Sequence, residues 1–160
     1  MDPRTGRLFV VWADTRFGGS GRTDVALSSS SDGGGTWTRP VRVNPTPASA
    51  SAFTPAVDVT PAGTVGVSYY DLRADTAAAS TLLADHFLAR SQDGGATWSE
   101  SRLTKASFDL LAAPNAGGRF LGDYVGLASA GETFVSVFAV TNSGSSSNRT
   151  DILLRTVGLP

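Results

Sequence analysis

Two Asp-x-Arg triplets and one loop-like segment hold most of the side chains in this 160-residue chain that could do chemistry. The triplets are Asp14-Thr15-Arg16 and Asp71-Leu72-Arg73, and the segment is Arg119-Phe120-Leu121-Gly122-Asp123-Tyr124. A guanidinium fork binds a carboxylate through two parallel hydrogen bonds. Arg16, Arg73 and Arg119 are therefore candidate binders of an acidic group, with Asp14 and Asp71 as polar partners of the same ligand. Asp123 and Tyr124 are the candidate catalytic pair. Each residue also has a plain structural reading. Residues two apart in extended chain point the same way, so each Asp can pair with a neighbouring sheet or tie down its own loop. The recurrence of the pair favours that reading, because a single active site rarely needs the same residues twice. Asp123 can satisfy loop N–H groups beside Gly122, and Tyr124 can pack between sheets. His86 is the one histidine and is expected at a polar rim, with no second imidazole for a metal. Asp75 and Asp85 could join a calcium site with loop carbonyls, but nothing in their spacing singles them out. No metal or cofactor is expected, and the absence of cysteine removes thiolate ligands and disulfides.

These residues must be held by something, and the clearest positioning signal is a repeated octet. Ser30-Ser31-Asp32-Gly33-Gly34-Gly35-Thr36-Trp37 recurs as Ser91-Gln92-Asp93-Gly94-Gly95-Ala96-Thr97-Trp98, with Asp32 and Asp93 61 residues apart. A fixed period of this kind marks a repeat architecture. The chemistry suits a hairpin turn. Glycines accept positive φ, the Asp carboxylate accepts the turn's own N–H groups, and the Trp re-enters a strand with a large apolar face to bury. Ser30, Asp32, Gly34, Thr36 and Trp37, with Ser91, Asp93, Gly95, Thr97 and Trp98, are thus structural residues.

Around the octets, β-branched and aromatic runs predict strands over 7–13, 23–29, 38–43, 54–60, 64–70, 83–90, 99–103, 123–129, 133–140 and 151–156. A helical turn is expected near 108–112, and the alanines at 77–79 could form another. The hydrophobic share of 41% and the Gly- and Ser-rich turns argue an all-β domain over 1–160. A net charge of −1 without a basic patch excludes a nucleic-acid partner, and no apolar run is long enough for a membrane span. The Asn148-Arg149-Thr150 glycosylation pattern is read as chance.

The Ser-x-Asp-x-Gly-x-Thr-Trp pattern resembles the Asp-box, or bacterial neuraminidase repeat, of sialidases and other β-propellers. The segment 120–127 looks like one recurring in sialidase-like proteins. The resemblance implies a β-propeller of four-stranded antiparallel blades, here an incomplete one of about three: 5–43, 54–104 and 120–157. The first lacks its innermost strand and the third its outermost. Either the chain is the C-terminal portion of a larger exo-sialidase-like protein, or self-association completes the ring. The implied function is glycan processing or glycan binding, with a glycan or glycoconjugate partner and an extracellular or cell-surface location. The alternative is a non-catalytic scaffold binding protein or glycan.

Sialidase chemistry asks for an arginine cluster on the substrate carboxylate, a Tyr nucleophile activated by a Glu, and an Asp acid/base. Meander topology puts Arg16, Arg73, Arg119, Asp14, Asp71, Asp123 and Tyr124 on the face opposite the Asp-boxes, with His86. The two glutamates, Glu100 and Glu132, are expected at the Asp-box end, where neither can activate a tyrosine.

Overall fold

The computed structural model describes residues 1–17, 21–122 and 124–158. The chain is all-β, in three antiparallel sheets, none of them closed. The first sheet is β1 (Leu8–Asp14), β2 (Asp24–Ser30) and β3 (Val41–Arg42). The second is β4 (Ala52–Val59), β5 (Val65–Asp71), β6 (Leu83–Ser91) and β7 (Ser99–Arg102), with β8 (Phe108–Asp109) also paired to β6. The third is β9 (Gly126–Ala130), β10 (Thr133–Thr141) and β11 (Thr150–Val157). Strand neighbours in space follow sequence order, as in a meander, so every link in the main path is a short antiparallel connection.

The strands form close to where composition places them, with local exceptions. β3 keeps only two ladder residues of the expected six. The third sheet starts at Gly126, so 120–122, 124 and 125 lie outside it. Residues 77–79 form no helical turn, while Leu110–Ala112 makes a single 3₁₀ turn capped by the Asp109 carboxylate. β4 carries a register shift between Phe53 and Ala56, with Thr54 at φ +50°. A bulge is where a strand tolerates Pro55.

β5 has all seven residues buried because both of its faces are covered. Val65, Val67 and Tyr69 join Val25 and Leu27 of β2 in one core between the first and second sheets. Tyr70, on the opposite face, joins Leu88, Phe108, Phe134 and Phe138 in a second core against the third sheet. Gly66 marks how closely that second pair approaches: a Cβ there would lie 2.5 Å from the Phe134 ring. The second sheet therefore shows one face to the first sheet and the other to the third.

Candidate functional site

The strand registers sort the loops into two ends. Leu8 pairs with Ser30 and Val65 with Ser91, so both octets lie at the ends where β1 and β5 begin. Asp14 pairs with Asp24 and Asp71 with Asp85 at the opposite ends.

The two octets share the hydrogen bonds among their Ser, Asp, Gly and Thr residues. In the first, Ser30 Oγ donates to Asp32 Oδ1 at 2.7 Å and accepts from Gly34 N at 2.9 Å. Thr36 donates its N–H to Asp32 Oδ1 at 2.9 Å and its hydroxyl to Oδ2 at 2.7 Å. In the second, the corresponding Ser91–Asp93 and Gly95–Ser91 distances are both 2.7 Å. Thr97 gives its N–H at 2.9 Å and its hydroxyl at 2.5 Å. Gly33, Gly34, Gly94 and Gly95 all have φ between +70° and +98°. The donors from Thr36 and Ser30 hold the Asp32 carboxyl well below the usual carboxylate range, and those from Thr97 and Ser91 do the same for Asp93. Both carboxylates are occupied as turn locks.

The Asp-x-Arg triplets are closed on themselves. Asp14 accepts the Arg16 N–H at 2.9 Å, the Arg16 Nε at 2.8 Å and the Trp12 indole N–H at 2.7 Å. The Arg16 backbone donor is the main force holding the Asp14 carboxyl below its ordinary value. Asp71 accepts the Arg73 N–H at 2.7 Å and Arg73 Nη2 at 2.6 Å, and it takes the Thr46 hydroxyl from the linker before the second sheet. Arg73 does not reach out as a free fork, whereas Arg16 is held through Nε alone and its side chain is 52% exposed.

Arg73 has a further partner that corrects the placement of Glu100. Its Nη1 lies 2.6 Å from Glu100 Oε1 and its Nη2 2.9 Å from Oε2, while the Tyr69 hydroxyl donates to the same carboxylate. β7 runs back beside β6 from the octet, setting Glu100 opposite Ala89. From there its side chain meets Tyr69 on the same face. Glu132 stays at the Asp-box end, accepting the Ala62 N–H at 2.9 Å. Burial first, then the Glu100 carboxylate, push the Tyr69 phenol far above its ordinary value. Burial opposes the charge on Arg73, but its hydrogen bonds to Asp71 and Glu100 outweigh it and raise the pKa. The Arg73 guanidinium also lies 4.1 Å over the Phe87 ring. Tyr69 is fully buried.

A second layer of repeated pairs escaped the sequence reading. Arg42 reaches Asp24 with Nε at 2.9 Å and Nη2 at 2.6 Å, and Asn44 adds a donor at 2.7 Å. Arg102 reaches Asp85 at 2.9 and 2.7 Å, and Thr104 adds one at 2.6 Å. Asp24 and Asp85 share the 61-residue offset of the octets, and Arg42 and Arg102 stand 60 apart; that offset was the available signal. Asp85 is thus surrounded by protein donors, and Asp75 accepts the Leu83 N–H at 2.9 Å. Among the described residues no acidic or imidazole cluster suits a metal ion.

His86 is corrected from rim to core. It is fully buried, stacked on Phe138 at 4.1 Å and edge-on to Tyr70 at 4.6 Å, with Nε2 3.3 Å from Ser136 Oγ. Its Nδ1 has no partner, and burial lowers its pKa to about 3. Tyr124 is also corrected: it is 91% exposed and does not pack between sheets. Arg119 holds the loop through a bridge to Asn115 and a 3.5 Å contact with the Ala113 carbonyl. Asp123 lies outside the described residues.

A cleft of about 330 Å³ opens beside Arg73 at the end opposite the octets. Arg22, Ser49, Leu72, Asp75 and Thr76 also line it. Arg16 and Arg119 do not, so the three expected arginines do not converge here. Two further clefts lie at the octet end, one of about 350 Å³ beside Arg7 and Trp37 and one of about 300 Å³ beside Arg4 and Asp93. No helix among the described residues is long and apolar enough to cross a membrane. No protein-family model matches the chain, and no curated protein is found as its relative.

Proposed function

We propose that the chain is a segment of a sialidase-like Asp-box β-propeller that binds an acidic saccharide without hydrolysing it. The propeller reading is supported by the three consecutive meander sheets, each stacked on the next through the same faces. The binding reading rests on one feature, the cleft beside Arg73. It lies at the end the Asp-x-Arg triplets mark, offers the Arg22 guanidinium, and carries hydroxyl and carboxylate groups on Ser49, Thr76 and Asp75. Such a lining suits a carboxylate-bearing sugar with several hydroxyls. A glycan of this type belongs to cell surfaces, and an extracellular location goes with it.

The locked groups oppose turnover. Asp14 and Asp71 each carry their own arginine, and Tyr69 is buried beneath Arg73 and Glu100. The hydrogen bond between Tyr69 and Glu100 is the one observation that favours hydrolysis, since a Glu-activated Tyr is the sialidase type of nucleophile. A phenol with no accessible surface cannot reach an anomeric carbon. The test is saturation-transfer NMR with a sialylated trisaccharide and with its neutral core. The acidic sugar should bind and the neutral core should not. Arg22→Ser should weaken binding about tenfold, the scale of one charged hydrogen bond. Equal binding of both sugars, or binding unchanged in Arg22→Ser, would contradict the proposal.

A further inference from the structure

The third sheet departs from the other two at the Asp-x-Arg position. The registers Asp14–Asp24, Asp71–Asp85 and Val140–Asp151 align the three sheets. On that alignment Asp14-Thr15-Arg16 and Asp71-Leu72-Arg73 correspond to Val140-Thr141-Asn142. The carboxylate that holds an arginine in the first two sheets is a valine in the third. An arginine is still present at this end. Arg149 closes the loop between β10 and β11, two residues before Asp151, as Arg22 stands two residues before Asp24.

Arg149 meets no carboxylate. Its Nε donates to the Ala112 carbonyl at 2.9 Å, and its Nη1 and Nη2 have no partner among the described residues. The acids on the flanking elements are taken. Asp109 accepts the Leu82 N–H at 2.8 Å and the Leu111 N–H at 2.9 Å, and Asp151 accepts Asn148 Nδ2 at 3.0 Å. By contrast, the charge of Arg16 meets Asp14, and that of Arg73 meets Asp71 and Glu100.

The loop folds round a small cavity. The Asn142 N–H donates to the Arg149 carbonyl at 2.8 Å and closes the neck of the loop. The space inside is about 150 Å³, lined by Arg149, Asn142, Ser143, Ser145, Ser146 and Ala112, none of them acidic. The Ser145 hydroxyl is engaged with Ser147 and the Asn148 N–H. The Asn142 side-chain amide and the Ser143 and Ser146 hydroxyls have no partner among the described residues. The cavity has less than half the volume of the cleft beside Arg73. It falls below the range of about 300–1,000 Å³ typical of sites for whole small molecules, which suits a single compact group.

We infer that this loop is a binding site for a compact tetrahedral oxyanion, sulfate or phosphate. The guanidinium fork gives two parallel N–H bonds to two of its oxygens. The Asn142 amide and the Ser143 and Ser146 hydroxyls donate to the others. A carboxylate has only two oxygens, and the fork alone would occupy them. The charge of Arg149, unmatched in the free protein, is matched in the complex. The site is independent of the propeller reading and of what the Arg73 cleft binds. A sulfate ester on a saccharide and free inorganic phosphate are the two sources of such a group.

The test is an NMR titration of the 160-residue chain with sodium sulfate, sodium phosphate and N-acetylglucosamine 6-sulfate, each against sodium chloride at equal ionic strength. The oxyanions should shift the amides of 142–149 saturably, with dissociation constants on the order of 1 mM, and chloride should not. Arg149→Gln should weaken that binding about tenfold, the scale of one charged hydrogen bond. Arg149→Lys, which keeps the charge and loses the fork, should weaken it less. Lys105→Gln, at an exposed position outside the loop, should leave it unchanged. The amides of the other residues report whether each variant is folded. Tighter binding of the sulfated sugar than of inorganic sulfate assigns the site to an ester; tighter binding of inorganic phosphate assigns it to the free ion. Shifts that do not saturate, equal shifts with chloride, or binding unchanged in Arg149→Gln would overturn the inference.

Discussion

The two octets share one core of hydrogen bonds and have different surroundings. Asp32 and Asp93 take the same Ser and Thr donors at nearly the same distances, and the paired glycines share the same positive φ. Yet Gly95 is buried beneath Leu27 with Trp98 packed in the core, while Trp37 stands 44% exposed. The turn is therefore a local object, built by its own Ser, Asp, Gly and Thr. The fate of its Trp is a tertiary matter, decided by whether a neighbouring sheet supplies a leucine. The same division separates the Asp-x-Arg triplets. Both close locally, but only Arg73 acquires a Glu, because the position matching Glu100 in the first sheet is Pro40.

The comparison can be broken at several points. The largest effect should come from Leu27→Ala, which removes the seat under the second octet and should cost about 3 kcal/mol, as large-to-small core changes do. Leu154→Ala, at a position 57% exposed, should cost under about 0.5 kcal/mol, as exposed substitutions do. Urea denaturation measures both; equal costs would mean that the two leucines are not distinguished by cover.

The His86 core gives the next effect. The unfolded histidine takes a proton below its usual pKa of 6.5, while the folded one stays neutral until about 3. The unfolded state binds more protons in that window, so stability should fall as pH drops from 6.5 towards 3. The slope should be about 1.4 kcal/mol per pH unit well inside the window. His86→Gln should remove that slope, and melting curves between pH 7 and pH 4 would show whether it persists. The octet carboxylates, with pKa values lowered in the fold, should add their own loss only below about 3.8.

The last pair of variants sharpens the comparison instead of breaking it. Asp32→Ala and Asp93→Ala should lower the melting temperature by similar amounts, because each removes the acceptor of the same Ser and Thr donors. A large difference between them would mean that the neighbouring sheet, and not the octet itself, holds the turn.

Much of this was legible in the sequence, for the same local reason. The octets, the Asp-x-Arg triplets and most strands depend on residues close in the chain, and their types and spacing were enough. Asp24–Arg42 and Asp85–Arg102 were missed although the offset of the octets carried them, because neither looks like a motif alone. Glu100 was not: its meeting with Tyr69 depends on how β7 pairs with β6. His86 was not, since a histidine at the end of a strand reads as polar until Phe138 of the third sheet is known to stack on it. Tyr124 failed in the other direction, because an aromatic residue promises burial that a loop outside the sheet does not provide.

The most direct test of the central claim, that this chain binds an acidic sugar and leaves it intact, is incubation with a fluorogenic sialoside while saturation-transfer NMR follows binding of the sialylated trisaccharide. Saturable binding without fluorophore release is the predicted result. Release that is lost in Tyr69→Phe would contradict it, and would make the buried Tyr69–Glu100 contact the resting state of an active site.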